Sequence, residues 1–491
     1  MCQLKSTNER KVNPTNWKDV TSSMTNSHRI VTDLKEKIMS GEWPVYTKLP
    51  TQNELAQQYQ VNRSTVVKAI DELKSYGYVT AVQGSGVYVS TELRKADLKQ
   101  FLMNWDRLSQ WSFYSSNKSL VKKINDYENN ASYIQLSKGV LGKEHIPETL
   151  IRKAMTNASM QPLDHEYGDG KGDIRFRKAI SKHLEKRGIH VGIDSIMVVS
   201  GALNGIQLIA SSILQTGSQI YLDNHSFLNT LNFFHSLGIR TSPVLQFGNT
   251  HNLKDMKPNQ AVYVNSPFQN PTTLSLLANE QDDILTYTHK KNIAIIEDNI
   301  YGDLVYEGNY PSLKSKDKAG NVIYLSSFSK TLSPALRIGW IVAKPEIIQK
   351  VSDVRMHTDY GTSNITQAIC TELLASGDYD AHLSRLRIHL KEKRDYLDSL
   401  LKHHLSKFGS WHIPAGGFFI WFTFREEWNL SIKKLFHACL KQNVLFNPGT
   451  IYGQDEQPSI RFSFVYETKE NLKRGITILA ETIDLFVQEG K

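Results

Sequence analysis

The sequence predicts a multidomain protein, with a small α+β module near the N-terminus and a large α/β domain behind it. Three observations support this prediction. A chain of 491 residues suffices for two to four domains of ~100–200 residues each. Residues 27–92 contain three short amphipathic segments followed by two short β-type runs. From about residue 131 onward, helical stretches alternate with short apolar runs, as in a parallel sheet covered by crossover helices.

The composition excludes several classes of protein. Hydrophobic residues make up 40% of the chain and charged residues 22%, which excludes collagen-like and wholly disordered chains. No run approaches the ~18 apolar residues of a membrane span, and residues 1–26 are typical of a flexible polar tail without a signal-peptide core. Cysteine occurs only at Cys2, Cys370 and Cys439, too few for a disulfide framework or a zinc site. We therefore expect a protein of the reducing cytoplasm, without a membrane anchor or a metal.

The first two helices of the N-terminal module are marked by apolar spacing and by a cap. Apolar side chains recur at helical intervals from Ile30 to Met39, and Gly41 is a natural helix end. Thr51 and Glu54 have the spacing of a capping box, in which each side chain accepts a hydrogen bond from the other residue's backbone N–H. This pattern predicts a short second helix that begins at the cap.

A third helix and a hairpin complete the module. Asn62 can cap a helix whose apolar side chains share one face, and Gly77 ends it. Residues 78–89 then suit two short strands around the glycine-bearing turn 83–86. Three helices followed by a hairpin form the pattern of a winged helix-turn-helix.

Residues 93–130 are predicted to be a linker that is partly helical. The segment is polar and mostly compatible with a helix, and it carries large apolar side chains at irregular intervals, namely Phe101, Leu102, Trp105, Leu108 and Trp111. A wholly flexible linker would not usually contain two tryptophans, so we expect the segment to dock through them.

The α/β pattern of residues 131–491 depends on short apolar runs bounded by polar turns. Such runs suit buried parallel strands with crossover helices between them. They cover residues 196–199, 220–222, 261–264, 293–296 and 322–325.

A lysine among hydroxyl residues is the first candidate for chemistry in this domain. Ser327 and Ser329 precede Lys330, and Arg337 follows seven positions later. The amine can form an imine with an aldehyde, and the hydroxyls and the guanidinium suit a dianionic phosphate, so the group fits a phosphorylated aldehyde. Taken alone, Ser-x-Ser-Lys is more often a solvated lysine in a loop.

Three polar residues upstream fit the same ligand. Asp298 closes a buried-strand pattern, where a carboxylate can pair with a pyridinium nitrogen and keep it protonated. Tyr301 and Asn270 can both contact the phenolic oxygen of such a ring. The alternatives are a helix N-cap for Asp298 and a plain turn for Asn270 with Pro271.

In this order and spacing, the segments resemble the fold-type I pyridoxal-phosphate enzymes of the aminotransferase class, from roughly residue 135 to 485. Further matching segments are residues 167–172 with Arg175, 200–203, Phe227, 416–419 and 459–462. The resemblance implies pyridoxal 5'-phosphate as the cofactor and a smaller α+β domain at about residues 375–491.

The resemblance also implies a role for each matched residue. Lys330 binds the aldehyde covalently and is the catalytic residue, and Asp298 pairs with the ring nitrogen. The other cofactor contacts come from Tyr301, Asn270, Ser327, Ser329, Arg337, Gly201, Ala202, Phe227 and Tyr167. Arg461 matches the arginine that grips a substrate carboxylate, against the alternative of a surface arginine on a strand.

Candidate DNA contacts follow from the winged pattern. First-turn side chains of a recognition helix read base edges, so Arg63 can meet a guanine while Ser64 or Thr65 holds a phosphate. The remaining candidates, which would contact the backbone, are Lys68, Lys48, Gly84 and Ser85. The net charge of +9 permits nucleic-acid binding without requiring it. The alternative is a helical hairpin that serves only as a dimer arm.

The module closely resembles the GntR-type winged helix at residues 49–56, 61–66 and 84–89. Asn53 stands where that family usually has arginine, so one DNA-facing charge is missing. A GntR-type module joined by a linker to an aminotransferase-like domain is the layout of the MocR (GabR-like) regulators.

This layout implies a cytoplasmic, nucleoid-associated regulator of transcription. It implies a homodimer that binds double-stranded operator DNA and senses a small amine, an amino acid or pyridoxal phosphate itself. Residues 355–361 and 447–449 look like the NorG-type branch of the family. Two alternatives remain: an active pyridoxal-phosphate aminotransferase with an accessory N-terminal module, and a regulator that senses only the supply of pyridoxal phosphate.

Overall fold

The structure, a computed structural model, describes residues 25–39, 42–44, 46–90, 119–162, 166–245, 250–258, 260–453 and 457–488. The chain divides into two compact units, Met1–Trp111 and Ser112–Lys491. The predicted tail before residue 25, the predicted helix end at Gly41 and the aromatic residues of the predicted linker lie outside the described residues.

The N-terminal unit contains three helices and a hairpin, as predicted. They are α1 (Asn26–Met39), α2 (Gln52–Gln58) and α3 (Arg63–Ser75), followed by the antiparallel strands β1 (Val79–Val82) and β2 (Gly86–Val89). The capping box of α2 is confirmed, because the Glu54 amide donates to Thr51 Oγ1 at 3.3 Å and the Thr51 amide to Glu54 Oε2 at 2.7 Å. The predicted side-chain cap of α3 is wrong. Asn62 stands at the cap position, but the Thr65 amide donates to its carbonyl oxygen, at 2.9 Å, and not to its side chain.

One apolar core holds these elements together. Its members that are at most 1% exposed come from all three helices: Ile30, Leu34, Leu55, Val66, Ala69, Ile70 and Leu73. Val89 joins the core from the hairpin. The chain before α2 is tied to the hairpin, since the Leu49 amide donates to the Val87 carbonyl at 2.8 Å. The first turn of α3 is therefore held in place by this core.

The second unit is built on a seven-stranded sheet. After the short strand β3 (Ile134–Gln135) come β4 (Ile196–Val199), β5 (Gln219–Asp223), β6 (Arg240–Leu245), β7 (Ala261–Asn265), β8 (Ala294–Asp298), β9 (Val322–Ser327) and β10 (Gly339–Val342). The order across the sheet is β4-β10-β9-β8-β7-β5-β6. The five apolar runs predicted as strands are confirmed as β4, β5, β7, β8 and β9.

Two strands of this sheet were not predicted. β10 runs antiparallel to its neighbours β4 and β9. Residues 328–338 leave no room for a crossover helix after β9, and the chain therefore returns antiparallel. β6 is an edge strand whose sequence contains polar residues and Pro243, which is a composition typical of sheet edges and not of buried strands.

Helices cover both faces of the sheet. The helices of this unit are α4 (Ser119–Glu128), α5 (Glu148–Ser159), α6 (Ile174–Glu185), α7 (Ala202–Ile213), α8 (Phe233–Ser236), α9 (Ala278–Lys290), α10 (Leu313–Lys316), α11 (Pro345–Arg355), α12 (Asn364–Ala375), α13 (Asp378–His404), α14 (Ile432–Lys441) and α15 (Lys469–Gln488). Side chains of β4 alternate between the faces. Ile196 and Val198 join a core with α6 and α12, whereas Met197 and Val199 join a core with α7 and α11.

The predicted smaller α+β part is confirmed near the C-terminus. Its strands are β11 (Gly409–Trp411), β12 (Phe419–Phe424), β13 (Val444–Leu445), β14 (Asn447–Pro448) and β15 (Ser459–Ser463). Four of them form an antiparallel sheet in the order β11-β12-β15-β14, while β13 pairs in parallel with β3 from the beginning of the unit. Among the described helices, none is both long and apolar enough to cross a membrane.

Candidate functional site

A cavity of about 350 Å³ lies where the strand ends of the large sheet meet the smaller sheet. β7, β8 and β9 are parallel neighbours, so the segments that follow them emerge at the same edge. Nine of the eleven predicted cofactor residues line this cavity together with Arg461, the residue predicted to bind a carboxylate: Asn270, Asp298, Tyr301, Ser327, Ser329, Lys330, Arg337, Ala202 and Phe227. Residues far apart in the chain are thus brought to one place.

The amine of Lys330 lies inside the cavity. Its Nζ donates to the carbonyl oxygen of Gly139 at 2.6 Å. The pKa of Lys330 is lowered to about 8, mainly by loss of hydration and also by the charge of Arg461, and the carboxylates of Asp298 and Glu128 oppose this shift. A sizeable fraction of the amine is therefore neutral, and nucleophilic, near neutral pH.

Asp298 ends β8 with one oxygen engaged and one without a partner. Oδ2 accepts a hydrogen bond from the hydroxyl of Tyr263 at 2.6 Å, whereas Oδ1 is buried with no partner among the described residues. Burial raises the pKa of Asp298 to about 6, against the opposing effect of the Tyr263 hydrogen bond. The Asp298 side chain is thus not a helix cap, and Oδ1 is ready to accept a bond from a ligand nitrogen.

Other polar atoms of the cavity resemble Asp298 Oδ1 in lacking a hydrogen-bond partner among the described residues. Among the described residues, Tyr301 Oη, Asn447 Oδ1 and Arg461 Nε are also buried without a hydrogen-bond partner. Native proteins rarely leave such groups unsatisfied, and several at one cavity indicate a missing polar ligand. The donor and acceptor set fits pyridoxal 5'-phosphate, with an acceptor for the ring nitrogen and a hydroxyl for the phenolic oxygen.

The other end of the cavity suits a phosphate. Helix α7 begins at Ala202, and the N-terminus of a helix favours an anion. Gly201, before it, has φ +94°, and a Cβ there would lie 3.2 Å from Arg337 Nη2. The hydroxyls of Ser327 and Ser329 are 2.9 Å apart beside this guanidinium in the cavity wall. Glycine thus leaves room for the arginine, although Gly201 itself does not line the cavity.

Arg461 lies within the cavity wall and not on the surface. It is 4% exposed, and its guanidinium carbon lies 3.9 Å from the centroid of the Phe419 ring. Nη1 donates to Asn270 Oδ1 at 2.7 Å and Nη2 to the carbonyl oxygen of Ser137 at 2.6 Å. These bonds fix the plane of the guanidinium toward the cavity, as a carboxylate ligand requires.

Besides Gly201, Tyr167 is the predicted cofactor residue that does not line the cavity. It is 85% exposed, and its ring packs against Tyr360 at 5.3 Å between centroids. Tyr167 thus does not line the cavity of its own chain, and its predicted cofactor contact stays a prediction. The Tyr167 side chain lies on the surface, whereas Lys171, later in the same segment, accepts a backbone hydrogen bond from Val198 of β4.

Several cavity residues were not identified from the sequence. Asn447 and Tyr452 come from the smaller domain, and Tyr263 supports Asp298 from the neighbouring strand β7. Helix α4 also lines the cavity, although its residues were assigned to the linker. Its apolar side chains at positions 121 and 124, one turn apart, were the available signal. Among the described residues, no group of three or more His, Cys, Asp or Glu side chains is arranged to hold a metal.

The N-terminal unit presents the predicted DNA contacts at the start of α3. Arg63 is exposed, and both its Nε and Nη2 donate to Gln52 Oε1 at 3.1 Å. Ser64 and Lys68 are exposed and one helical turn apart, and Thr65 is half-buried. The Gln52 contact, which the sequence did not predict, holds the Arg63 side chain before any DNA binds.

The hairpin tip carries the other predicted contacts. Gly84 and Ser85 are exposed, and the Ser85 hydroxyl lies 2.7 Å from the Tyr88 hydroxyl. The side chain of Lys48 runs along the hairpin, since a Cβ on Gly86 would lie 2.8 Å from its Cε. The structure therefore brings Lys48 to the wing.

Comparison with known proteins gives two family matches in the same order. Residues 131–479 match the model of aminotransferase class I and II, and residues 26–89 match that of the gntR family of bacterial regulatory proteins. The HTH-type transcriptional regulator NorG of Staphylococcus aureus is 39% identical over 437 residues, which are 87% of this chain and 98% of that protein. The HTH-type transcriptional regulator YdfD of Bacillus subtilis is 37% identical over 91% of this chain and 94% of its own length.

Solved structures with the same fold are aminotransferases. A multiple substrate aminotransferase from Thermococcus profundus matches with a TM-score of 0.72 and 26% identity, over 79% of this chain and 100% of that one. The kynurenine aminotransferase of Pyrococcus horikoshii matches with a TM-score of 0.71 and 26% identity, over 80% of this chain and 99% of that one. The matched share of this chain, 79–80%, is similar in length to the second unit.

Proposed function

The chain belongs to the MocR-like GntR regulators of transcription, and from this premise we propose that it senses a small amine-bearing molecule, most simply an amino acid, in the cavity around Lys330. Pyridoxal 5'-phosphate is the cofactor of its aminotransferase-like domain. The observation that carries the proposal is the set of unpartnered polar atoms on one cavity, from Asp298, Tyr301, Asn447 and Arg461.

Different residues of the cavity would hold different parts of the cofactor. Asp298 would hold the ring nitrogen, and Tyr301 and Asn270 the phenolic oxygen. The phosphate would be held by the start of α7 with Ser327, Ser329 and Arg337. When bound, pyridoxal phosphate supplies an aldehyde that condenses reversibly with amines. Lys330 would hold that aldehyde until an incoming amine competes for it, since its lowered pKa favours the neutral amine.

Arg461 would orient a ligand that carries a carboxylate. Its guanidinium is already fixed by Asn270 and Ser137, so little conformational entropy is lost when two parallel hydrogen bonds form. The amine of the ligand would then face Lys330 across the cavity. This arrangement favours an α-amino acid or another short amino acid over a simple amine.

We propose that the regulator works as a homodimer on operator DNA. Tyr167, Tyr360 and Ile365 are 85%, 53% and 61% exposed, which is apolar area that a second copy of the chain would cover. Two N-terminal units in a dimer would read two half-sites with a fixed spacing. A protein with this role works in the cytoplasm, at the nucleoid.

The dimer would have two arrangements that differ in their affinity for the ligand and for DNA. Binding of the ligand would favour one arrangement and thereby change the affinity for DNA. Such coupling is typically ~1–3 kcal/mol, or about 5–150-fold in affinity. Fluorescence anisotropy of DNA from upstream of its own gene, with the cofactor-loaded chain and a panel of amino acids, tests this directly. We expect at least one amino acid to shift the DNA affinity, and Lys330→Ala to abolish the shift. No shift with any of them would remove the sensing proposal.

An active aminotransferase is the second candidate. It is favoured by the cavity itself, because Lys330, Asp298, Tyr301 and Asn270 all line it and nothing needed for amino transfer is missing from that set. Steady turnover of an amino acid with a keto acid, in the range of ~1–1000 per second, would support it. A sensor of pyridoxal phosphate alone would instead respond to the cofactor and to no amine.

A further inference from the structure

Helix α4 forms part of the wall of the cofactor cavity. It contributes Val121, Ile124, Asn125 and Glu128. Val121 and Ile124 are 7% and 3% exposed and belong to the same apolar core as β12 and β15. The helix contacts β13, and the burial of these two side chains fixes it in this core. Glu128, at its last position, is therefore held at the cavity wall by the packing of the preceding turns.

The carboxylate of Glu128 has no partner of its own. Among the described residues, the structure gives it no ion pair and no side-chain hydrogen bond. Its charge nevertheless reaches the cavity. It opposes the effect of lost hydration on the pKa of Lys330, and it adds to the effect of lost hydration in raising the pKa of Tyr452 to about 12. A negative charge thus faces the space where a ligand would lie.

The other charged groups of the cavity already have tasks in the proposed function. Arg337 serves the phosphate, Asp298 the ring nitrogen, Lys330 the aldehyde and Arg461 a carboxylate. Among the described residues, the charged side chains of the cavity that are then left are Glu128 and Lys138.

Lys138 is held in place by two contacts. Its Nζ donates to the backbone carbonyl oxygen of Glu128 at 3.0 Å and lies 4.6 Å from the centroid of the Tyr466 ring. Such contacts satisfy part of its hydrogen-bonding capacity and stabilise its charge. The carboxylate of Glu128, which only accepts hydrogen bonds, is left without a donor. A partly dehydrated carboxylate of this kind favours a cationic partner.

Resting on the proposed function, we propose that Glu128 recognises a second ammonium group on the ligand. The cavity would then select diamino monocarboxylic acids: Arg461 binds the carboxylate, one amine faces Lys330, and the other amine donates to Glu128. Amino acids with an apolar side chain of equal length would lack the last contact. Those with a second carboxylate would meet the negative charge of Glu128.

Titration of the cofactor-loaded full chain tests this inference. L-Lysine, L-norleucine and L-2-aminoadipate are added in turn, and binding is followed by the absorbance of the bound cofactor and by calorimetry. Because a hydrogen bond between charged groups is involved, we expect lysine to bind about tenfold or more tightly than norleucine, and aminoadipate more weakly than norleucine.

Substitutions in α4 test which residue causes the preference for lysine. Glu128→Gln should bring the affinities for lysine and norleucine close together, and measurable binding of both would show that the cavity is intact. Glu128→Lys should shift the preference toward aminoadipate. Asp126→Asn is the matched control, because Asp126 is an exposed carboxylate on the same helix that does not line the cavity. It should keep the preference for lysine.

The remaining outcomes of these titrations would contradict the inference or the proposed function. A preference for lysine that survives Glu128→Gln overturns the inference while leaving amine sensing intact. Tighter binding of aminoadipate to the unmodified chain also overturns it and assigns recognition to Lys138. If no amino acid of any class binds, then the proposed function fails, and the inference fails with it.

Discussion

Arg461 on β15 donates a hydrogen bond to Asn270, which follows β7, and the two side chains meet at 2.7 Å across the cofactor cavity. The contact joins the smaller sheet to the larger one at the point where a ligand carboxylate and the cofactor's phenolic oxygen would lie. Each residue therefore positions the other, and the cavity depends on the relative placement of the two sheets.

Arg461→Lys should weaken the binding of amino acids by about 10–100-fold, because lysine cannot form two parallel bonds to a carboxylate. Binding of an amine that has no carboxylate should hardly change. Both affinities are measured from the absorbance of the bound cofactor. Arg474→Lys, at an exposed position of α15, is the control and should leave both affinities as they are. Equal losses for the two ligand types would point to a damaged cavity.

The capture of the cofactor by the cofactor-free chain should depend on pH with a midpoint near 8. The neutral amine of Lys330 is the nucleophile, and its pKa is lowered to about 8 by loss of hydration. The rate, followed by the absorbance change on mixing, should rise through pH 8 and not through the ordinary range of lysine near ~10.4.

Asp298→Asn should move that midpoint to lower pH. The carboxylate of Asp298 favours the charged form of Lys330, so its removal lowers the pKa of the amine further. The measurement is the same rate profile. A midpoint that stays in place, or moves upward, would contradict the proposed proximity of the two charges.

Arg63→Ala should weaken binding to the operator by ~1–3 kcal/mol, the usual value of a specific base contact. Gln52→Ala should weaken it less, because it removes only the acceptor that holds Arg63 before binding. Fluorescence anisotropy with operator DNA and with unrelated DNA measures both. Lys74→Ala, near the other end of α3 and paired with Asp71 at 3.1 Å, should have little effect. An equal loss of affinity for both DNAs would show that Arg63 contacts the DNA backbone and not a base.

Thr51→Ala should destabilise the N-terminal unit by about 1 kcal/mol, because the hydroxyl accepts the first-turn amide of Glu54 in α2. Thr51→Ser keeps the acceptor and should retain most of the stability. Calorimetric unfolding of the full chain gives the transition of this unit. If serine and alanine behave alike, the hydroxyl is not what stabilises the helix.

The local patterns of the sequence were sufficient for the elements and for most of the cavity. Short apolar runs bounded by polar residues predict strands such as β8, and the end of that strand predicts where Asp298 lies. The parallel order of β7, β8 and β9 then brings Asn270, Asp298 and Lys330 to one edge. The capping box of Thr51 depends on residues three apart and was predicted for the same reason.

Relations between distant segments were decided only by the tertiary structure. The outward position of Tyr167 depends on the path of a surface segment, which no local pattern encodes. Glu128 meets the cavity because α4 packs against β13, which lies more than 300 residues later in the chain. β10 is antiparallel because of the length of the chain before it. Residue types and their spacing thus determined which chemistry this chain can carry, and the packing of remote surfaces decided which side chains face it, since burial is a property of the whole fold.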